Sequence, residues 1–559
     1  MSLDGERIHN EPSACVRQVG QHRRTECQCA KAFRAVMMKV VSYNIHMMRL
    51  ALVATMLACG GKQPTPVEAK LVERFPLAKL DEQALCDQLL ARGDAFHVTV
   101  DPEPVRRRKV IVSDLHLGPG TTDPRFAGIE DFYAEAEWRA FLERHGAVGA
   151  TDLVIAGDFI EYWQIAASLR VLPKRDAQAP AGTPVLAADQ AFSLEATKLV
   201  IAAHRDVFRA LGELISRGDH RVIIVAGNHD ADLLWPKVQL EIAKAIAPPD
   251  PSRLLFIDAA AYEHGGVHVE HGHTYDAANK FTSRHAPFGR DRDGRCRLQS
   301  SWGEVFVDAF YTETERQIPF IDNLYPESAA ILWAIKDNPD PERDVGAALR
   351  FLDLLRVAES REFNRDAVGA VLQGVFGTPG GDSGPSARDV MGQLADRLAA
   401  GDTKAIGVVN GLTRLLYDPD LSSLWTTVVD AVRLLPDVRA ALGELRHTDL
   451  AALGRLRETL FGESMETAAK RLLANPALSV IVFGHTHTLG GSLVPIGKGF
   501  YANTGSWLSV ASVKDLRARG VQWDQLSVVD RTQFPQRSTA IVIDYDNGRP
   551  VRPVLENAK

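Results

Sequence analysis

The chain has few cysteines, no excess of positive charge and no long hydrophobic run. Its six cysteines among 559 residues are too sparse for a disulfide scaffold. With 64 basic and 71 acidic residues and a formal net charge of −7, the chain lacks the basic footprint of a nucleic-acid-binding protein. Hydrophobic residues make up 45% of the sequence, which excludes wholesale disorder. This length predicts several domains, or one large core with insertions.

A short apolar segment near the N-terminus has the pattern of an export signal. Arg49 precedes an apolar run from Leu50 to Ala58, which leads to Cys59. The run is far shorter than the roughly 20 residues of a membrane-spanning helix. Its end resembles a bacterial lipoprotein cleavage site, at which the cysteine is lipidated, although Met56 replaces the usual leucine three residues before it. The alternative is a buried apolar segment with an ordinary cysteine.

The residues before this segment fit no signal architecture, so Met47 or Met48 is a better start for an exported protein. Removing residues 1–58 takes away eight basic and four acidic residues and changes the net charge from −7 to −11. Such an acidic protein is repelled by nucleic-acid backbones, so no nucleic-acid partner is expected. We expect export to the bacterial periplasm or cell envelope and a lipid anchor at Cys59, or a cytoplasmic location if the signal is misassigned.

Several short apolar runs after residue 106 end in polar residues of one chemical kind. They lead into Asp114-Leu115-His116, Gly157-Asp158, Gly227-Asn228-His229-Asp230, His271-Gly272-His273 and Gly484-His485-Thr486-His487. Such runs, alternating with helical stretches, predict an α/β fold with a layered sheet. A buried strand positions the residues at its carboxyl end rigidly, and ligand sites gather there. Carboxylates, imidazoles and an amide without thiolates favour Mn, Fe or Zn.

This ordered series of motifs resembles the calcineurin-like metallophosphoesterase superfamily. The motifs span residues 110–487, and the segment 501–507 resembles the closing strand and turn of that family. The resemblance implies a layered β-sandwich core flanked by helices. It also implies a phosphoesterase that uses two divalent metal ions (Mn, Fe or Zn) and a metal-activated hydroxide to hydrolyse a phosphoester bond. The expected substrate is a phosphorylated small molecule or a lipid-linked phosphate.

The resemblance assigns seven metal ligands. The first ion would be bound by Asp114, His116 and His487, the second by Asn228, His271 and His485, and Asp158 would bridge them.

The same resemblance assigns a catalytic role to His229, which would stabilise or protonate the leaving oxygen. Asp230 would orient that imidazole, as carboxylates often do. The alternative for His229 is a supporting hydrogen bond near the site. His273 is the alternative to His271 as a ligand, and His268 is expected to pack within its strand.

Two segments, 113–117 and 157–163, resemble the branch of the superfamily that contains the bacterial UDP-2,3-diacylglucosamine pyrophosphatases, which cleave a sugar nucleotide in lipid A synthesis. Two features differ from that branch. Those enzymes usually have arginine at the position of His229, and they act in the cytoplasm, whereas Cys59 predicts export. The resemblance therefore does not transfer the substrate.

Two alternative functions stay open. One is a pyrophosphatase of a nucleotide-sugar or lipid-linked substrate, and the other is a catalytically silent, lipid-anchored binding protein. Glu161, Tyr162 and Trp163 either begin a helix that packs on the sheet or line the pocket.

A segment as long as a domain, 287–475, separates the fourth motif from the fifth. Two apolar stripes at helical spacing predict helices there: Val345, Leu349, Leu352 and Leu355, and Leu421, Leu424, Val428, Val432 and Leu435. Both ends of the segment lie beside predicted ligands, so we expect a cap that selects substrate; internal packing of a helical bundle is the alternative.

The predicted organisation is an upstream extension and signal segment (1–58), a tether and N-terminal segment (59–105), a core in two parts (106–286 and 476–559) and the helical insertion (287–475).

Overall fold

The structure is a computed structural model. It describes residues 66–93, 97–126, 128–171, 186–276, 279–281, 287–301, 303–304, 307–308, 312–316, 321–325, 464–512, 516, 518–521, 525–526, 534 and 537–558. Cys59 and the apolar run before it lie outside these residues, as do both predicted helical stripes of the insertion. In the described part of the chain, no helix is both long and apolar enough to cross a bilayer.

The helices vary from one turn to about four turns in length. They are α1 (Pro66–Arg74), α2 (Glu82–Ala91), α3 (Glu135–Gly146), α4 (Tyr162–Leu169), α5 (Gln190–Ala203), α6 (Arg205–Arg217), α7 (Pro236–Ile246), α8 (Thr312–Glu315) and α9 (Met465–Leu472). Short 3₁₀ helices occupy Pro76–Lys79, Pro124–Phe126, Ala231–Leu234, Pro251–Arg253, His273–Tyr275 and Ile321–Asn323.

The strands are short, and several of them come directly before the predicted ligands. They are β1 (Val98–Val100), β2 (Arg108–Val112), β3 (Thr151–Ala156), β4 (Arg221–Val225), β5 (Leu254–Ile257), β6 (Ala261–His264), β7 (Val267–Glu270), β8 (Phe288–Arg290), β9 (Cys296–Leu298), β10 (Leu324–Tyr325), β11 (Val480–Phe483), β12 (Ser492–Ile496), β13 (Gly499–Asn503), β14 (Ala511–Ser512), β15 (Thr539–Ile543), β16 (Tyr545–Asp546), β17 (Arg549–Pro550) and β18 (Val554–Asn557).

The first sheet has six strands in the order β18-β15-β2-β3-β4-β5. Strands β2 to β5 are parallel neighbours, and β15 is antiparallel to both β2 and β18. Along β2, Val110 and Val112 belong to one buried cluster and Ile111 to another. Because both faces of these strands are buried, the strands are continuous apolar runs and do not alternate with polar residues.

The second sheet also has six strands, in the order β1-β6-β7-β11-β13-β12. Strands β7, β11 and β13 are parallel neighbours, with antiparallel partners β6 and β12 on either side. The carboxyl ends of β7 and β11 therefore lie at the same edge of this sheet. The same holds for β2, β3 and β4 in the first sheet.

Apolar packing joins the two sheets and covers their other faces with helices. Val154 of the first sheet and Val482 of the second belong to one buried cluster. On the opposite face of the first sheet, Val112 shares a cluster with Phe208 of α6, and Ala469 of α9 packs with residues of β11 and β13. The predicted α/β class is confirmed, in a form that mixes parallel and antiparallel strands.

Helix α6 shows why the layers form where they do. Its buried residues include Val207, Phe208, Leu211, Leu214 and Ile215, which recur at intervals of three and four. This spacing puts them on one face of the helix, while charged residues occupy the other. The apolar face packs in the same cluster as the first sheet.

The segment before β2 packs against the core. Leu71 of α1 and Leu89 of α2 lie in the main apolar cluster. In α2, Cys86 forms a disulfide with Cys296 of β9, with Cα atoms 5.4 Å apart across a sequence separation of 210. This disulfide was not predicted, because cysteine spacing alone does not determine pairing.

Candidate metal centre

All seven predicted ligands lie in loops at the carboxyl ends of strands. In chain order, β2 is followed by Asp114 and His116, β3 by Asp158, β4 by Asn228, β7 by His271, and β11 by His485 and His487. The parallel order of these strands brings the loops of each sheet to one edge. The apolar cluster shared by both sheets then holds the two edges together.

Four of these residues form the first group. Asp114, His116, Asp158 and His487 each offer a ligand atom, and all four atoms lie within 4.8 Å of one another. The His116 Nε2 atom lies 3.6 Å from Asp158 Oδ2, and the His487 Nε2 atom lies 3.2 Å from Asp114 Oδ1. Three of these residues are buried and His487 is half-buried, and together they could hold a divalent metal ion.

The second group shares Asp158 with the first. Ligand atoms of Asp158, His271 and His485 lie within 4.8 Å of one another, and His271 Nε2 lies 3.0 Å from Asp158 Oδ2. The Oδ1 atom of Asn228 is buried and has no hydrogen-bond partner in the described part of the chain. Unsatisfied buried oxygens are uncommon, and a cation would satisfy this one. Each group could therefore hold a metal ion, and the two groups share Asp158.

Hydrogen bonds orient the ligand imidazoles. The Nδ1 atom of His116 lies 2.8 Å from Glu161 Oε2, and Nδ1 of His271 lies 2.9 Å from the Ala156 carbonyl oxygen. Donation from Nδ1–H leaves Nε2 of each ring available as a ligand atom. His485 is held through its Nε2 atom, 3.0 Å from Asp276 Oδ2. Metal-binding histidines are commonly oriented in this way.

Backbone strain is concentrated at the same residues. Five of the seven have positive φ angles between 43° and 70°: Asp114, His116, Asp158, His485 and His487. Positive φ is uncommon for residues other than glycine, and such conformations persist where the surrounding structure enforces them, often at functional sites. This observation supports a ligand site independently of the side-chain distances.

Close backbone approach explains two glycines that precede ligands. A Cβ atom at Gly484 would lie 2.6 Å from a carboxylate oxygen of Asp114. At Gly157, with φ of +87°, a Cβ atom would overlap the ring of His271. A side chain at either position would push the loops of the two sheets apart.

His229 lies beside the first group and is held on three sides. Its Nδ1 atom lies 2.6 Å from Glu161 Oε2, and its backbone N–H donates to Asp158 Oδ1 over 2.9 Å. The ring stacks on Trp163, with centroids 3.9 Å apart and an interplanar angle of 26°. Burial raises the pKa of Glu161, but His229 and His116 more than offset this and lower it to about 2, so the carboxylate is ionised at neutral pH.

The predicted orienting role of Asp230 is wrong. Its carboxylate accepts backbone N–H groups, including those of Gly227 and Phe159 at 2.5 and 2.7 Å, and makes no hydrogen bond with the His229 ring in the described structure. Asp230 therefore ties the loop after β4 to the loop after β3. Burial, assisted by Asp158, raises the pKa of Asp230 to about 7. Glu161 orients His229 instead.

Comparison with known proteins adds no family assignment. No family model matches this chain, and no curated protein matches it significantly. The chemical interpretation therefore rests on the buried aspartate and histidine groups, which could hold a metal ion.

The remaining candidate histidines lie outside both ligand groups. His273 is buried, and its ring centroid lies 5.6 Å from that of His271. Burial, together with the neighbouring histidines, lowers the pKa of His273 well below its usual value. His268 is buried within β7, with Nδ1 2.7 Å from Glu263 and Nε2 3.2 Å from Glu270.

Sequence reasoning missed one residue that supports the site, Asp276, and left the roles of Glu161 and Trp163 open. Glu161 begins α4 by accepting the Gln164 N–H, and the same carboxyl group contacts two imidazoles. The sequence left Glu161 open as a helix start or as pocket lining, and the structure shows that it begins the helix and also supports the site. Asp276 holds His485 but follows no apolar run, so no pattern pointed to it. Trp163, left open as packing or pocket lining, stacks on His229.

Proposed function

We propose that the protein is a phosphoesterase that depends on two divalent metal ions and has the layered core of the calcineurin-like metallophosphoesterases. The observation that carries this proposal is Asp158, whose carboxylate belongs to both groups of ligand atoms. The order of the motifs along the chain and the shared cluster between the two sheets support it. The unsatisfied Asn228 oxygen supports a cation on the second side.

The family resemblance implies how the ligands would divide between two ions. Asp114, His116 and His487 would hold one ion, Asn228, His271 and His485 would hold the other, and Asp158 would contact both. Two such ions would polarise a phosphoryl group and lower the pKa of a water molecule.

The chain itself supplies the proton for the departing alcohol. In the reaction, an oxygen atom from water bonds to phosphorus, the bond from phosphorus to the alcohol oxygen breaks, and that oxygen takes a proton. His229 is placed to give this proton, because Glu161 fixes one ring nitrogen and Trp163 restricts the ring plane. An imidazole held in this way suits general acid catalysis.

We also propose that the protein acts outside the cytoplasm. The disulfide between Cys86 and Cys296 supports this, because such bonds persist in oxidising compartments and are rare in the cytosol. It agrees with the export signal that the sequence predicts before Cys59. The expected substrates are therefore phosphorylated small molecules or lipid-linked phosphates of the cell envelope.

The test is hydrolysis by the purified full chain, loaded in turn with Mn, Zn, Fe or Mg. Aryl phosphate monoesters, aryl diesters and a pyrophosphate cover the three bond types. We expect turnover of at least one class, loss of turnover with chelator and recovery with metal. A His97→Gln variant, altered at an exposed histidine outside both ligand groups, should behave like the unaltered protein. Full metal loading without turnover of any class would contradict the proposal and favour a silent binding protein.

A further inference from the structure

A narrow cavity lies beside the second ligand group. Its wall includes Asn228, the predicted ligand with the unsatisfied oxygen, and Trp163, the residue that stacks on His229. Asp232, Phe281, Gln299 and Glu304 also line it. We call this cavity, defined by these six residues, the acidic pocket. It borders the place where a phosphoester would be cleaved, because Asn228 is a predicted ligand and Trp163 stacks on His229.

Two carboxyl groups in the acidic pocket have no positive partner among the residues that the structure describes. Asp232 and Glu304 are each 5% exposed, and neither forms an ion pair within the described residues. Their closest partners are hydroxyl groups, of Ser193 and Ser300 respectively. Burial, and then the repulsion of neighbouring carboxylates, raise the pKa of Asp232 to about 7 and that of Glu304 to about 8. An ionised carboxylate is costly to bury unless it is paired, and a bound cation would supply that partner.

The chemistry of the wall favours an organic cation over a metal ion. Among the described residues, the groups whose ligand atoms lie close enough together to hold a metal ion include neither Asp232 nor Glu304. The pocket also contains the aromatic rings of Trp163 and Phe281. Aromatic rings beside carboxylates attract organic cations such as ammonium groups. The narrowness of the cavity favours a primary ammonium over a bulkier quaternary one.

We propose that the acidic pocket binds the primary ammonium group of an amino alcohol whose phosphoester is cleaved at the metal centre. This inference rests on the proposed phosphoesterase function, and it names the substrate class. In the reaction, the bond between phosphorus and the oxygen of the amino alcohol breaks, and an oxygen from water, whose released proton goes to solvent, takes its place on phosphorus. The amino alcohol leaves with a proton from His229 on its oxygen and its ammonium group unchanged.

The wall formed by β9 is held in place covalently. Gln299 follows β9, which begins at Cys296, and Cys296 is joined to Cys86 of α2. The Gln299 side chain also donates to the Phe288 carbonyl over 3.1 Å. A fixed wall favours discrimination by size, because the pocket cannot widen around a larger headgroup.

A matched series of esters tests the inference on the metal-loaded full chain. The substrates are 2-aminoethyl phosphate, its neutral counterpart 2-hydroxyethyl phosphate and the trimethylammonium ester, each as the monoester and as the methyl diester. We expect kcat/KM for the aminoethyl ester to exceed that of the hydroxyethyl ester at least tenfold. Equal values for these two esters, or a preference for the trimethylammonium ester, would overturn the inference.

Two substitutions test whether the preference for the aminoethyl ester arises in the acidic pocket. Glu304→Gln keeps the size of the side chain and removes a buried acid, so folding should survive; Asp232→Asn is the second variant. In both, the ratio between the aminoethyl and hydroxyethyl esters should fall toward one. The control is Asp293→Asn, which alters an exposed carboxylate in the turn between β8 and β9, and it should keep the ratio. A ratio that survives both pocket substitutions would place recognition elsewhere and overturn the inference.

Two further measurements separate failure of this inference from failure of the proposed function. Hydrolysis of aryl phosphates without any preference for the aminoethyl ester would overturn the inference about the acidic pocket. It would leave the proposed phosphoesterase function unaffected. If no ester is cleaved, 2-aminoethanol is tested as a ligand by thermal unfolding. A Tm increase in the unaltered chain, absent with ethylene glycol and absent in Glu304→Gln, would support the pocket alone. No increase would overturn it.

Discussion

His229 and Glu161 form a 2.6 Å hydrogen bond between the loops that follow two neighbouring strands. The same carboxylate oxygen lies 2.8 Å from Nδ1 of His116. One carboxylate therefore fixes both a predicted ligand and the predicted proton donor. Substitution at these residues can separate proton transfer from metal binding.

His229→Ala should retain both metal ions and lose about 10²–10⁴-fold in kcat. The loss should be largest for esters with poor leaving groups, because a basic alkoxide depends most on a proton donor. Glu161→Gln should also slow turnover, and it should weaken metal binding about 10–100-fold because it supports His116 as well. Steady-state kinetics across a series of leaving groups, together with metal analysis, checks this. Equal rate losses for good and poor leaving groups would contradict the proton-donor role of His229.

Reduction of the disulfide between Cys86 and Cys296 should destabilise the fold by about 2–5 kcal/mol. The bond joins α2 to β9 across a large sequence separation and therefore restricts the unfolded chain. Guanidinium unfolding of the Cys86→Ser variant, with and without reductant, measures the effect. Cys59→Ser is the control, since it leaves this pair intact. A midpoint that reductant does not change in the unaltered chain would contradict the structural role of the bond.

The buried ion pair between Lys109 and Asp152 should make the free energy of unfolding depend on pH in the acid range. Burial raises the pKa of Asp152, but Arg221 and Lys109 more than compensate and keep it below its usual value. A lowered folded-state pKa stabilises the fold above the unfolded value of about 3.9, and this stabilisation is lost as pH falls through the folded-state pKa.

Asp152→Asn should therefore flatten the acid-dependent fall in unfolding free energy. At neutral pH it should cost about 3–5 kcal/mol, because fully buried Lys109 loses its 2.9 Å partner. Urea unfolding between about pH 3 and 7 gives both quantities. Parallel curves for the variant and the unaltered chain would show that Asp152 does not carry this dependence.

The lipid anchor gives a fourth prediction. Expressed from Met48 in a Gram-negative host, the protein should be exported and recovered with membranes, because several acyl chains hold a lipoprotein firmly. Cys59→Ser should release it into the soluble fraction with unchanged activity. Membrane association that survives this substitution would exclude lipid anchoring. Unprocessed, active protein in the cytoplasm would exclude export and return attention to a sugar-nucleotide pyrophosphatase.

The α/β class and the residues of the candidate site could be predicted from sequence because buried strands appear as short apolar runs. Strands such as β3 and β4 are apolar on both faces, so the polar residues just after them mark one edge of the sheet. The family resemblance, and not this pattern, implies that Asp114 and His487 from opposite ends of the core belong to one group, and their side chains lie 3.2 Å apart.

The contacts that support the site could not be predicted because they depend on the direction of side chains in loops. Asp230 is next to His229 in sequence, but its carboxylate is held by backbone N–H groups, and Glu161 from another loop takes its place. The pairing of His485 with Asp276 and the acidic pocket likewise arise only when distant segments meet. No periodic pattern in the sequence indicates such contacts between distant segments.

The most direct test of the central claim is the metal content and turnover of Asp158→Asn. Because both groups of ligand atoms include Asp158, the unaltered protein should bind about two divalent ions and the variant should bind both weakly, with turnover abolished. Asp206→Asn, on the exposed side of α6, is the matched control and should keep metal and rate. Two tightly bound ions and unchanged turnover in Asp158→Asn would contradict the account.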